Sequence, residues 1–71
     1  MTGAEFLRLI ERFGRDRGVP VRFDQRHGKG SHGTLWYGPN KTVLKDRKKE
    51  IGKGLLHAML KQLGLERSDL R

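Results

Sequence analysis

The 71-residue sequence contains no cysteine, and no run of apolar residues is longer than three. Without cysteine there is no disulfide framework, no thiolate nucleophile and no cysteine-based zinc site, which is typical of a small protein in a reducing compartment. The short apolar runs give no support for a membrane-spanning helix or for an export signal. We therefore expect a cytoplasmic protein without a membrane partner.

Acidic residues are also scarce. Eight Asp and Glu stand against 16 Lys and Arg, which gives a formal net charge of +8. This excess is larger than solubility requires and indicates a polyanionic partner, with nucleic acid the obvious choice. The length allows a thin two-layer core, so we expect a single domain over residues 1–71, with 66–71 as a loosely held tail.

The hydrophobic pattern predicts a helix at each end of the chain. The first helix begins at a capping box formed by Thr2 and Glu5 and is expected to end at Gly14. The second helix is indicated by a stripe of apolar residues at helical spacing, closed by Gly64. The stripe consists of Ile51, Leu55, Leu56, Met59, Leu60 and Leu63.

Between the helices, alternating apolar residues predict three strands over 19–23, 34–37 and 42–45, with a turn at 38–41. We predict that these strands form an antiparallel meander. The fold class is therefore α+β: an αβββα domain with a three-stranded antiparallel sheet and both helices on one face.

The second strand carries two adjacent aromatic residues, Trp36 and Tyr37, which must face opposite sides of the sheet. One of them packs in the core and the other is exposed. We favour the register in which Leu35 and Tyr37 face the helices, because it exposes His32 and Trp36. The exposed aromatic is a candidate for stacking on a base or for anchoring a partner protein.

A basic, glycine-rich segment, residues 26–33, leads into the second strand. Its glycines let a ligand approach the backbone closely, and Arg26 and Lys29 supply positive charge. Ser31 and the backbone amides supply hydrogen-bond donors. His32 adds an imidazole, a group that exchanges protons near neutral pH. This combination suits a phosphodiester.

Two other interpretations of the histidines and glycines are less favourable. Gly28 to Gly33 matches the dinucleotide-binding pattern G-x-G-x-x-G, but that pattern must open a helix, whereas a strand follows here. His27, His32 and His57 have no compact ligand spacing and no carboxylate among them, so we expect no metal and no cofactor. His57 is interpreted as an exposed residue of the second helix.

Further basic residues lie near the end of the chain. We interpret the charged segment 45–50 as a solvated loop. Lys53 and Lys61 lie opposite the apolar stripe of the second helix. Because free amides at a helix start favour anions, both lysines are candidate phosphate contacts.

Gly30-Ser31-His32 at the start of the second strand, together with the final helix over 54–64, resembles the HicA family of toxins, also called YcfA-like proteins. The resemblance covers nearly the whole chain. It implies a double-stranded-RNA-binding-like fold, mRNA interferase activity on single-stranded RNA and a HicB-type antitoxin as partner. It also makes His32 the catalytic residue, because the histidine of the family's Gly-Ser-His is catalytic.

The chain departs from the family pattern in two places. Arg26 stands four residues before Gly30, whereas family members commonly have an arginine shortly before Gly-Ser-His. After the third strand there is no Pro-x-His element, so the resemblance supplies no second active-site histidine.

Metal-independent RNA cleavage requires a base for the 2′-OH, stabilisation of the phosphorane charge and an acid for the leaving 5′-oxygen. The resemblance assigns one proton transfer to His32. Arg26 and Lys29 are the expected phosphorane contacts, and Ser31 is expected to orient His32 or to donate a hydrogen bond. The second acid or base is left open among three candidates: Tyr37, His27 and water.

The alternative is a non-catalytic RNA-binding domain of the same fold, in which His32 only helps to hold the backbone. A basic DNA-binding protein is a third interpretation, but the chain has no helix-turn-helix pattern to support it.

Overall fold

The computed structural model describes residues 1–25 and 32–70. The elements in chain order are α1 (Gly3–Arg17), β1 (Val21–Asp24), β2 (Gly33–Tyr37), β3 (Asn40–Leu44), α2 (Lys53–Gln62) and a 3-10 helix (Arg67–Leu70). The predicted α+β class, with three antiparallel strands between two helices, is confirmed. Neither helix in the described ranges has the length and apolar character that a bilayer crossing needs.

The start of α1 is fixed by the predicted capping box. The hydroxyl oxygen of Thr2 accepts a hydrogen bond from the Glu5 backbone N–H at 3.2 Å. The backbone N–H of Thr2 donates to the Glu5 carboxylate at 2.8 Å. The bond from the Thr2 backbone N–H, together with a hydrogen bond from the Thr2 side chain, lowers the pKa of Glu5 below its ordinary value, because both favour the charged carboxylate. Two otherwise unpaired amides at the helix start are thereby satisfied.

The prediction that α1 ends at Gly14 is wrong. The helix continues to Arg17, and Gly18 forms the left-handed C-cap with φ 69°. Gly14 is buried, because the chain passes directly over it on its way into β1. A Cβ atom at Gly14 would lie 2.4 Å from the Val21 side chain and 2.6 Å from the Val19 carbonyl oxygen. This glycine is therefore required by a close approach and not by a turn.

The sheet has the strand order β1-β2-β3 with both pairs antiparallel. A two-residue turn, Gly38 and Pro39, joins β2 to β3, so β3 begins at Asn40, earlier than predicted. Gly38 has φ 58°. A positive φ at the first central residue suits a tight hairpin and favours glycine there. The turn sets the register in which Trp36 pairs with Lys41.

Both helices pack on one face of the sheet and bury a single hydrophobic core. The core residues are Phe6, Ile10, Leu35, Tyr37, Leu44, Ile51, Met59, Leu60, Leu63 and Leu65. Leu55 was expected among them but is 51% exposed. It lies at one margin of the apolar stripe, outside the arc that Met59 and Leu60 present to the sheet.

The end of α2 agrees with the predicted role of Gly64, which follows the C-cap residue Leu63 with φ 76°. The Gly64 N–H donates to the Lys61 carbonyl at 3.0 Å, and the Leu65 N–H donates to the Leu60 carbonyl at 2.8 Å. This pair of bonds is the Schellman arrangement, which satisfies carbonyls that the helix leaves unpaired. Leu65 is buried and anchors the chain beyond the helix.

The described part of the segment expected to form a loose tail, 66–71, makes contacts with itself and with α1. Residues 67–70 form the 3-10 helix, and the Asp69 carboxylate accepts a hydrogen bond from the Glu66 N–H at 2.8 Å. The same carboxylate lies 3.3 Å from the Arg17 guanidinium at the end of α1. Short-range and long-range bonds thus converge on Asp69.

The different surroundings of two glycines give a stability test. Gly14→Ala forces a methyl group into Val19 and Val21, so we expect it to lower the free energy of unfolding by about 1–3 kcal/mol. Gly54→Ala is the matched control, because a Cβ there meets nothing within 4 Å. It should raise stability by up to about 1 kcal/mol through helix propensity. Urea denaturation followed by circular dichroism measures both; equal effects would contradict the close approach at Gly14.

Candidate nucleic-acid interface

The side of the sheet away from the helices is not covered by any described element, and we call it the open face. Its side chains are Arg22, Asp24, Thr34, Trp36, Lys41 and Val43. They alternate with the core-facing residues of the same strands. The open face is thus the broad surface on which the sheet presents polar, charged and aromatic groups together.

Trp36 lies at the centre of the open face, half-buried between two cations. Arg22 on β1 and Lys41 on β3 pair directly with it in the sheet register. The guanidinium carbon of Arg22 is 5.4 Å from the indole ring centroid, and the ammonium nitrogen of Lys41 is 5.2 Å from it. Cation–π attraction at such distances is worth about 0.5–1 kcal/mol at exposed sites. The indole ring of Trp36 therefore has a positive charge beside it on each of the two neighbouring strands.

The favoured register of β2 is confirmed. Leu35 and Tyr37 are buried under the helices, whereas Trp36 is on the open face. The Tyr37 ring lies 6.0 Å from the Phe13 ring and is only 8% exposed. Tyr37 is consequently placed neither to stack on a base nor to serve as a second acid or base on the open face, which leaves Trp36 as the accessible aromatic.

His32 is exposed and immediately precedes β2. If the alternation of β2 is continued by one residue, His32 falls on the same side as Trp36, four positions later. The Phe23 ring lies close to the neighbouring backbone, because a Cβ atom at Gly33 would lie only 2.6 Å from that ring. The Arg47 guanidinium in turn lies 5.5 Å from the centroid of that ring. Packing beneath the sheet therefore positions the chain from which the imidazole projects.

The remaining residues predicted in the glycine-rich loop fall outside the described residues. They are Arg26, His27, Lys29, Gly30 and Ser31. Their roles in binding phosphate, orienting His32 or transferring a second proton stay predictions.

The cations of α2 are exposed as predicted, but they are not on the open face. Lys53, His57 and Lys61 lie on the outer surface of a helix that packs against the covered side of the sheet. The N-cap residue of α2 is Gly52, which has no side chain to cap the amides at the helix start. Any phosphate contact of Lys53 or Lys61 is therefore separate from the surface that holds Trp36.

The charged segment 45–50 is not simply a solvated loop. Its backbone carbonyls at Arg47 and Lys49 accept hydrogen bonds from the N–H groups of Ala4 and Gly3, at 2.8 and 3.1 Å. The segment thus caps the beginning of α1 while its side chains remain largely at the surface.

Sequence reasoning missed a second basic surface, which we call the arginine groove. It lies between α1 and the start of β1 and has a volume of about 430 Å³. It is lined by Arg8, Glu11, Arg12, Arg15, Val19, Pro20 and Val21. The spacing of the three arginines, i, i+4 and i+7, is the helical signal that would have indicated a shared face.

The two cations beside Trp36 were missed by sequence reasoning for a different reason. Arg22 and Lys41 are distant in sequence, and only the pairing register brings them together. The sequence pattern predicts a four-residue turn at 38–41. A prediction of the two-residue turn at Gly38 and Pro39 would have placed Lys41 opposite Trp36.

Comparison of the chain with protein-family models, with curated proteins and with solved structures gives no match. The resemblance to the HicA family accordingly depends on the sequence features alone. Within the described ranges, no group of three histidine or acidic side chains is arranged to hold a metal ion.

Proposed function

We propose that the protein binds single-stranded RNA on the open face and cleaves it with His32. The observation that carries the proposal is the exposed His32 four residues before Trp36, which Arg22 and Lys41 flank at 5.4 and 5.2 Å. An aromatic ring beside cations suits a nucleic acid strand, because bases stack on the ring while phosphates meet the charges. The formal net charge of +8 favours the same polyanion.

The proposed reaction is an intramolecular transfer. The 2′-oxygen attacks the adjacent phosphorus, the bond to the 5′-oxygen breaks, and the products are a 2′,3′-cyclic phosphate and a free 5′-hydroxyl. His32 takes the proton from the 2′-hydroxyl or gives one to the leaving 5′-oxygen. With Tyr37 buried on the other side of the sheet, water and His27 are the remaining candidates for the second transfer. Nearby cations stabilise the charge that develops on the phosphorane.

The biological role that we propose follows from the resemblance to HicA proteins. It is that of a cytoplasmic mRNA interferase, the toxin of a type II toxin–antitoxin pair held in check by a HicB-type antitoxin. The basic surface supports such a partner, because acidic side chains laid against it gain charge complementarity and rapid association. The half-buried ring of Trp36 on the open face offers an aromatic anchor of the kind that dominates interface energies.

A non-catalytic RNA-binding domain is the second candidate. The cation-flanked Trp36 favours it equally, since stacking and phosphate contacts on the open face do not require an imidazole. Cleavage assays distinguish the two functions.

His32→Ala should slow RNA cleavage by about 10²- to 10⁴-fold, the usual worth of a positioned acid or base. Affinity for RNA should persist, because the substitution leaves Trp36 and its flanking cations in place. His57→Ala is the matched control, an exposed histidine on α2 that should cleave at the wild-type rate. Product formation on labelled single-stranded RNA, resolved by gel electrophoresis, measures both variants.

The same assay separates the proposed reaction from other nuclease mechanisms. Cleavage should continue in EDTA and should stop when a 2′-deoxy nucleotide replaces the one before the scissile phosphate. RNA that is bound but never cut by the wild type would favour the non-catalytic domain. Cleavage by His32→Ala at the wild-type rate would remove His32 from the mechanism.

Trp36→Ala should weaken binding of a single-stranded oligonucleotide by about 1–3 kcal/mol, the usual value of one base stacked on an aromatic ring. Val43→Ala is the control on the same face, because Val43 is 56% exposed and carries no ring or charge. Trp36 is the only tryptophan, so its fluorescence reports binding to the wild type directly. Equal affinities of the two variants would exclude stacking at this position.

Expression of the wild type in bacteria should arrest growth, because uncontrolled mRNA cleavage stops protein synthesis. His57→Ala should arrest growth in the same way, whereas His32→Ala should be harmless. Co-expression of an adjacent antitoxin gene should restore growth, and His32→Ala should still bind the encoded protein. Growth curves and co-purification provide the measurements, and arrest by the His32→Ala variant would contradict a toxin that acts through cleavage.

A further inference from the structure

The arginine groove has the composition of a site for a nucleic acid backbone. Arg8, Arg12 and Arg15 are exposed on one side of α1, and Glu11 is the single carboxylate among the lining residues. The groove therefore carries a net positive charge of two units. Guanidinium groups bind phosphate oxygens in a planar, bidentate manner.

The other wall of the groove is apolar. It consists of Val19, Pro20 and Val21, the residues that lead into β1. A surface with cations along one side and aliphatic groups along the other suits a nucleotide, whose phosphate is charged and whose sugar and base have apolar faces. Along α1, Arg8 and Arg15 are separated by about 10 Å of helix axis at 1.5 Å per residue, which is room for more than one phosphate.

The groove is continuous with the open face across the edge of the sheet. A second concavity on the open side is lined by Pro20, Arg22, Trp36 and Gly38. Pro20 lines both concavities, and the neighbouring residues Val21 and Arg22 face one each. Because β1 is an edge strand, no further strand among the described residues separates the two surfaces.

We propose that the arginine groove is a second RNA-binding site, and that one single strand runs from Trp36 over the β1 edge into the groove. The inference rests on the proposed function, since it extends the RNA surface of the open face. A single strand fits because the path turns around an edge of a molecule only 17 Å across in its thinnest dimension. A double helix, with a persistence length of about 50 nm for DNA, does not follow such a turn.

The experiment compares a triple variant, Arg8→Gln with Arg12→Gln and Arg15→Gln, with a control that loses the same charge elsewhere. The control is Lys48→Gln with Lys49→Gln and Arg67→Gln, three exposed residues that line neither the groove nor the open-side concavity. Affinity is measured by fluorescence anisotropy over a range of salt concentrations. The probes are single-stranded RNAs of about four and about sixteen nucleotides, the limits of typical single-strand site sizes, with 2′-O-methyl groups that block the proposed cleavage. Circular dichroism confirms that both variants are folded.

For the longer RNA, the triple variant should flatten the slope of log affinity against log salt by about two, because each phosphate contact to a single strand contributes about 0.7. The control should keep the wild-type slope. For the shorter RNA, which the open face alone accommodates, wild type, triple variant and control should bind alike.

Equal slopes of the triple variant and the control on the longer RNA would overturn the second site. If Trp36→Ala still weakened binding, the proposed function would stand without it, and the groove would be left for another anion such as an acidic protein segment. Failure of the wild type to bind either RNA would overturn the proposed function itself. Tighter binding of a duplex than of the single strand would contradict the path over the β1 edge.

Discussion

The burial of one face of β2 beneath both helices is the constraint on which the other features depend. Leu35 and Tyr37 are covered, so Trp36 between them must face outward. A slip of β2 by one residue would place Trp36 in the core and expose Leu35 and Tyr37. The register is therefore selected by the core residues of β2.

At two positions the backbone closely approaches a neighbouring element, and each position lies beside a surface that we propose for RNA. At Gly14 the chain leaving α1 crosses the helix on its way into β1, and the connecting residues form the apolar wall of the arginine groove. At Gly33 the Phe23 ring lies against the beginning of β2, next to His32. At both glycines the absence of a side chain lets neighbouring elements pack closely. The arginine groove lies beside the first contact and His32 beside the second.

The parts of the fold that depend on local chemistry were predictable from sequence. The capping box of Thr2 and Glu5 and the outward face of Trp36 both follow from patterns within a few residues. Gly14 was misread as a helix end because its role comes from Val19 and Val21, which only the tertiary fold brings near. Leu55 was misplaced because periodicity gives the width of an apolar stripe but not the position of the sheet beneath it.

The same distinction applies to the candidate site. His32 was found because it lies within a short motif, whereas Arg22 and Lys41 were missed because strand pairing assembles them. The arginine groove needs both kinds of information. Arg8, Arg12 and Arg15 have a helical spacing that the sequence displays, but the opposite wall comes from the connection into β1.

The attachment of the beginning of α1 to a late part of the chain has a consequence for the order of folding. The N–H groups of Gly3 and Ala4 donate to carbonyls of Lys49 and Arg47, and the Ile51 N–H donates to the Met1 carbonyl. These bonds close a loop that contains the entire sheet, whereas the β2–β3 hairpin closes over two residues. Because local contacts cost less entropy to form, we expect the hairpin to form before the first turn of α1 is attached. The strand that carries Trp36 is therefore expected to be organised before the chain ends of the core are joined.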